Sequence, residues 1–252
     1  MKRFLTVILC AALAFSSCSG APKRYRVKVL EEYPHDTASY TQGLFFEGGS
    51  LYESTGQYGE STVRIVDPLT GETMRRLDFA DKYFAEGSVV LDGTLYLLTW
   101  TNKVAFAYDA ATLEYKGAWS YPREGWGLTT DGRSLIASDG SARIYFYDKE
   151  FRQQRSITVR YGGRPMRLLN ELEWVDGRIW ANVYTSDLIL VINPDNGEVE
   201  SVIDCSGLLP ANMRSPRTDV LNGIAVDDDG NIYLTGKYWP RMYRVALERV
   251  KD

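Results

Sequence analysis

The chain has 252 residues, a formal net charge of −4, a single histidine and three cysteines. An acidic balance argues against nucleic acid as a partner, because phosphate backbones reward a basic face. One histidine and few cysteines leave little material for a His-rich or cysteine zinc site, and a Ser-His-Asp triad would have to be built around His35 alone.

The chain opens with Lys2 and Arg3, followed by an apolar run from Phe4 to Phe15, about 12 residues and too short to span a bilayer. Phe15-Ser16-Ser17-Cys18 then resembles a relaxed lipobox. The expectation is a signal peptide over 1–17, a lipidated Cys18 with a tether over 18–23, and a folded domain over 24–252, giving an exported lipoprotein of the cell envelope that meets the membrane only through its anchor. Without Lys2 and Arg3 the domain carries 27 basic against 33 acidic residues. Only Cys205 then remains as a thiol, which allows no internal disulfide and fits a small core residue. His35, between Pro34 and Asp36, reads as a loop residue rather than a base.

From Tyr25 onward the pattern is strand-like, with short runs rich in Tyr, Val, Ile and Leu between turn signals. The first unit has strands at Gly43–Phe46, Leu51–Ser54, Ser61–Val66 and Met74–Leu77. Its parts recur. Asp-Gly turns stand at Asp92-Gly93, Asp131-Gly132, Asp176-Gly177 and Asp229-Gly230, where a tight hairpin needs positive φ. Returning strands begin at Leu95, Leu135, Ile179 and Ile232. Five leading residues, Gln42, Glu86, Trp126, Asn170 and Asn222, are separated by about 44, 40, 44 and 52 positions, inside the range of blade repeats. Asp227-Asp228-Asp229 has oxygen ligands but falls at a hairpin turn, which favours a turn over a calcium loop.

Four antiparallel strands repeated five times indicate an all-β, five-bladed β-propeller. The fifth repeat stops near Val245 with three strands, so the N-terminal segment Arg24–Leu30 is expected to close the ring inside the last blade. In a propeller hairpin, the start of the first strand and the end of the second lie at one face. The leading residues therefore meet a trailing set, Gly56, Trp100, Gly140, Tyr184 and Lys237. Together they give one carboxylate, one ammonium, three amides and three aromatics, the composition of a small polar pocket. Trp119, Trp174 and Trp180 fit the core, whereas Trp100 and Trp126 stand where sister repeats carry small or polar residues.

The strings PHD with YTQGL, LYESTGQYG, AEG, GWGL with TDG, SDG, LNELE, WANVY, DVLNGIA and TGKYWP resemble those of the glutaminyl-peptide cyclotransferases of plant and bacterial type, from about Tyr25 to Val245. The resemblance implies a five-bladed propeller that converts N-terminal glutamine of peptides to pyroglutamate with release of ammonia. It implies Glu86 as the catalytic carboxylate and Gln42, Trp100, Trp126, Asn170, Lys237, Tyr40 and Phe84 as substrate-pocket residues, with Tyr184 in the same lining. Tyr40 stands where the family pattern has Phe and Tyr184 where it has Trp, which bears on pocket volume and substrate preference. No cofactor and no metal are expected in catalysis, a structural calcium on the axis stays open, and the protein is expected to be a monomer. The alternative from another class is a non-catalytic propeller that binds peptide N-termini or sugars at the same mouth.

Overall fold

The computed structural model describes residues 21–251, so the expected leader and Cys18 lie outside the described residues. Four-stranded antiparallel sheets follow one another along the chain. After β1 (Lys23–Pro34), the first sheet is β2 (Thr41–Glu47), β3 (Ser50–Thr55), β4 (Thr62–Val66) and β5 (Thr73–Asp78). The second is β6 (Ala85–Leu91), β7 (Thr94–Thr99), β8 (Val104–Asp109) and β9 (Tyr115–Ser120). The third is β10 (Leu128–Thr130), β11 (Leu135–Ser138), β12 (Arg143–Tyr147) and β13 (Gln153–Thr158). A small hairpin, β14 (Arg160–Tyr161) with β15 (Arg164–Pro165), precedes β16 (Leu169–Val175), β17 (Arg178–Val183), β18 (Leu188–Ile192) and β19 (Val199–Asp204). The last strands are β20 (Leu221–Val226), β21 (Ile232–Gly236) and β22 (Arg241–Arg249).

The N-terminal strand pairs antiparallel with β22, from Tyr25 opposite Arg249 to Pro34 opposite Arg241, where the sequence placed the closing strand. A second pairing was not legible. Lys23–Arg26 also runs parallel to Ser201–Asp204 of β19, which merges the last two units into one mixed eight-stranded sheet. The physical gain is that two outer edges cover each other instead of facing water.

The hairpin turns divide into two kinds. Asp92 and Gly93 have φ of 49° and 68°, and Asp176 and Gly177 have 48° and 74°, the doubly left-handed turn that matches strand twist. At Asp131 and Asp227 the aspartate instead caps its own loop, its Oδ1 accepting from the Arg133 and Ser134 amides and from the Asp229 and Asn231 amides respectively. The acidic run at 227–229 is thus a turn.

Each apolar cluster is shared between neighbouring sheets. Phe45, Tyr52 and Val63 pack with Leu95, Leu97 and Phe106, and Ile136, Ile144 and Phe146 with Leu172, Ile179 and Leu190. Leu44 and Leu51 of the first sheet pack with Ala225, Tyr233 and Met242 of the last, so the first and last sheets meet. Burial on both faces explains why β6, Ala-Glu-Gly-Ser-Val-Val-Leu, is buried at every residue. The first strands of successive units touch in order: β2 with β6, β6 with β10, β10 with β16, β16 with β20, and β20 with β2.

Candidate active site

Four of the five leading residues sit at irregularities in those first strands, while Trp126 lies just before β10. The pairing register breaks between Thr41 and Gly43, between Ala85 and Ser88, between Leu169 and Leu172, and between Leu221 and Ile224. A bulge re-aims the side chain it contains, and the sequence signalled it only as a glycine step. Close approach of the neighbouring strand explains that step: a Cβ on Gly127 would lie 2.1 Å from the Asn170 carbonyl oxygen. In the fourth unit the same position is Glu171, whose carboxylate accepts from the Ile224 amide at 3.0 Å.

Tyr40, Gln42, Phe84, Glu86, Trp100, Trp126, Asn170, Tyr184 and Lys237, every pocket residue that the sequence singled out, line one cavity of about 190 Å³. Of the wider leading and trailing sets, Asn222 is turned away from it; its amide donates to the Thr41 carbonyl at 2.9 Å and to Gln42 Oε1 at 3.3 Å. Gly140 contributes room instead of a group: its φ is 72°, and a Cβ there would lie 2.6 Å from the Trp126 ring.

The wall is a nearly continuous girdle. Tyr40 and Phe84 meet edge-on at 6.0 Å between centroids, Phe84 and Trp100 at 5.5 Å, and Trp126 and Tyr184 at 5.7 Å. Two charged side chains close the gaps. Lys237 Nζ stands 4.2 Å from the Tyr40 ring centre and 5.3 Å from that of Tyr184. Glu124 Oε2 accepts from both indoles, Trp100 Nε1 at 3.0 Å and Trp126 Nε1 at 3.2 Å. Both indole N–H groups are thus committed to Glu124, a residue that the sequence reading did not single out. The available signal was a carboxylate two positions before the leading Trp126.

Inside the girdle, Glu86 and Lys237 are 4% and 2% exposed. Burial raises the Glu86 pKa well above the carboxylate range; Lys237 opposes this and Glu124 adds to it. Burial likewise pushes Lys237 down, to about 8, against the pull of Glu86 and Asp219. Lys237 Nζ donates to Gln42 Oε1 at 2.7 Å. An ammonium can only donate, so this contact fixes the Gln42 amide with its N–H₂ directed away from Lys237.

Carboxylates outside this group were also missed. Glu171 and Glu173 are buried on β16, with pKa values raised chiefly by burial, that of Glu173 to about 8. Glu53 is 2% exposed and bonded to Thr41, Arg64 and His35.

A profile of the glutamine cyclotransferase family matches residues 4–247 of the chain. The sequence is 41% identical over 236 residues to a glutaminyl-peptide cyclotransferase of Arabidopsis thaliana, covering 88% of this chain and 72% of that protein. The crystal structure of Myxococcus xanthus glutaminyl cyclase aligns with a TM-score of 0.85 at 36% identity, over 91% of this chain and 100% of that one. The WD40 β-propeller domain of Doa1 aligns at a TM-score of 0.50 and 13% identity, over 81% of this chain and 62% of that one, a likeness of fold alone.

Proposed function

The chain belongs to the glutamine cyclotransferase family, and we propose that it closes the N-terminal glutamine of peptides to pyroglutamate through Glu86, with release of ammonia. The observation that carries this reading is the convergence of one buried carboxylate, one buried ammonium and amide side chains within a single aromatic cavity.

The reaction forms a bond between the substrate's α-nitrogen and its γ-carboxamide carbon and breaks the bond from that carbon to the amide nitrogen. The reacting groups are already tethered, so folding the side chain back on the amine supplies much of the acceleration. The aromatic girdle matches the methylene stem of a folded glutamine. The attacking amine gives up a proton and the departing nitrogen takes one. A carboxyl group can do both in turn, accepting the first proton and returning it as ammonia leaves, and burial, which raises the proton affinity of Glu86, suits it to hold that proton in between. Charge developing on the carboxamide oxygen needs donors. The Gln42 amide N–H₂, the Asn170 amide and Lys237 fill that role; the indoles, held by Glu124, act as walls.

Five blades are part of the same proposal. The supporting observations are the cyclic order of contacts among β2, β6, β10, β16 and β20, and the completion of the last unit by β1. An exported protein anchored at Cys18, acting as a monomer without a catalytic metal, completes the reading.

The test is incubation of the soluble domain with a Gln-initiated peptide, followed by mass spectrometry and ammonia detection. Loss of ammonia is expected, and Glu86→Gln should reduce it at least about 100-fold while leaving the fold intact. An active Glu86→Gln protein would remove Glu86 from the mechanism; a wild type that binds such peptides unchanged would favour the non-catalytic alternative.

A further inference from the structure

His35 is the only histidine of the chain. It lies in the link between β1 and β2, yet its side chain is only 7% exposed. Nδ1 is 2.7 Å from the Trp239 carbonyl oxygen and Nε2 is 2.9 Å from Glu53 Oε1. Both partners are acceptors, so the ring satisfies both only with a proton on each nitrogen. The charged groups facing it are Glu53 from β3 and Arg64 from β4, with Asp36 of its own loop bonded to the far side of Arg64 at 2.6 Å. From β2 it meets the Thr41 hydroxyl at 3.5 Å. As an imidazolium it makes this cluster neutral, two cations against two carboxylates; as a neutral ring it would leave an uncompensated negative charge. Burial acts to lower its pKa, but Glu53 and the Trp239 carbonyl outweigh that and raise it.

The cluster sits at one end of a zipper. The segment 35–42 carries Tyr40 and Gln42, and the segment 236–240 carries Lys237. His35 N–H donates to the Pro240 carbonyl at 3.1 Å, and Tyr238 N–H donates to the Ser39 carbonyl at 2.7 Å. The far end of the zipper is the contact of Lys237 with Gln42 and Tyr40. The second segment needs holding, because Tyr238 has a φ of 59°, a left-handed conformation that a non-glycine residue keeps only under external constraint.

We propose that His35 is a positioning residue for cyclisation: as an imidazolium bridging Glu53 and the Trp239 carbonyl, it clamps the 236–240 turn to the 35–42 segment and so sets Lys237 against Gln42. This rests on the cyclase reading above. Its signature is a split in the kinetics. Trp100, Trp126 and Phe84 are anchored on other sheets and keep the substrate bound, while the donors that meet the developing charge are displaced.

A lone histidine makes the experiment direct, because its imidazole NMR signal needs no assignment. In the wild type the signal should titrate above the ordinary value of about 6.5. Glu53→Gln should lower that midpoint. His35→Gln should lower kcat about tenfold to 100-fold with KM changed less than about threefold, the scale of a misplaced catalytic group. A wild-type midpoint at or below the ordinary value overturns the proposal even if the variants fail to fold. So does a folded His35→Gln enzyme with wild-type kcat, or one whose KM rises as much as its kcat falls. These results differ from failure of the cyclase reading, in which the wild type releases no ammonia at all.

Discussion

Replacing Lys237 by Met should make the protein more stable and less active. The buried ammonium has its pKa lowered from 10.5 to about 8, with burial as the main cause. At pH 7 the side chain is charged in both the folded and unfolded chains. That depression then corresponds to about 3 kcal/mol of destabilisation, at about 1.4 kcal/mol per tenfold change. Met keeps the length of the stem and removes the charge. It also removes the charge-assisted donor to Gln42 Oε1, worth about 2 kcal/mol net. The balance is a gain of about 1 kcal/mol, or roughly 2–4 °C in Tm for a domain of this size. Between pH 8 and 10.5 the unfolded chain binds the extra proton, so wild-type stability rises with pH there and the advantage of the variant disappears. Activity moves the other way. Loss of a charge-assisted contact to the developing charge should lower kcat/KM by about 10- to 150-fold. Thermal unfolding at pH 7 and above pH 10.5, together with ammonia release from a Gln-initiated peptide, measures both. A variant less stable than wild type at pH 7, or one whose advantage persists unchanged at high pH, would refute the reasoning.

Gly127→Ala forces a Cβ to within 2.1 Å of the Asn170 carbonyl oxygen, so it should cost at least about 2 kcal/mol in denaturant unfolding and depress activity through Asn170. Glu124→Leu removes the acceptor shared by both indoles; the expected result is KM raised about tenfold with a shift in tryptophan emission, and unaltered KM would mean that the walls hold without it. The raised His35 pKa stabilises the fold fully below about pH 6.5, and that contribution fades as pH climbs through the folded-state value; His35→Gln should therefore lower Tm more at pH 6 than at pH 10. Turnover should survive EDTA, and a loss of activity that calcium restores would show that a cation belongs in the working enzyme.

Much of the site was legible because repetition aligned it. Gln42, Glu86, Trp126 and Asn170 share a place in their units, as do Trp100, Tyr184 and Lys237, and residues that differ at one repeated position stand out against a background of packing. Glu124 lacked that advantage, since its function arises only when two indoles from adjacent sheets converge on one oxygen. His35 read as a loop residue for a related reason. Its partners, Glu53, Arg64 and the Trp239 carbonyl, are spread along the chain, and nothing local shows that they surround it.

Strand positions, Asp-Gly turns and the pairing of the N-terminal strand with the last one follow from alternation, turn chemistry and an incomplete final repeat, all of which are local or periodic. The tertiary structure alone decided the parallel contact of β1 with β19, the bulges that swing Gln42 and Glu86 into the opening, and the burial that sets the proton affinities of Glu86 and Lys237. The reason is dielectric and steric. Whether a carboxyl group holds its proton depends on how much water its neighbours exclude, and those neighbours come from other sheets of the array.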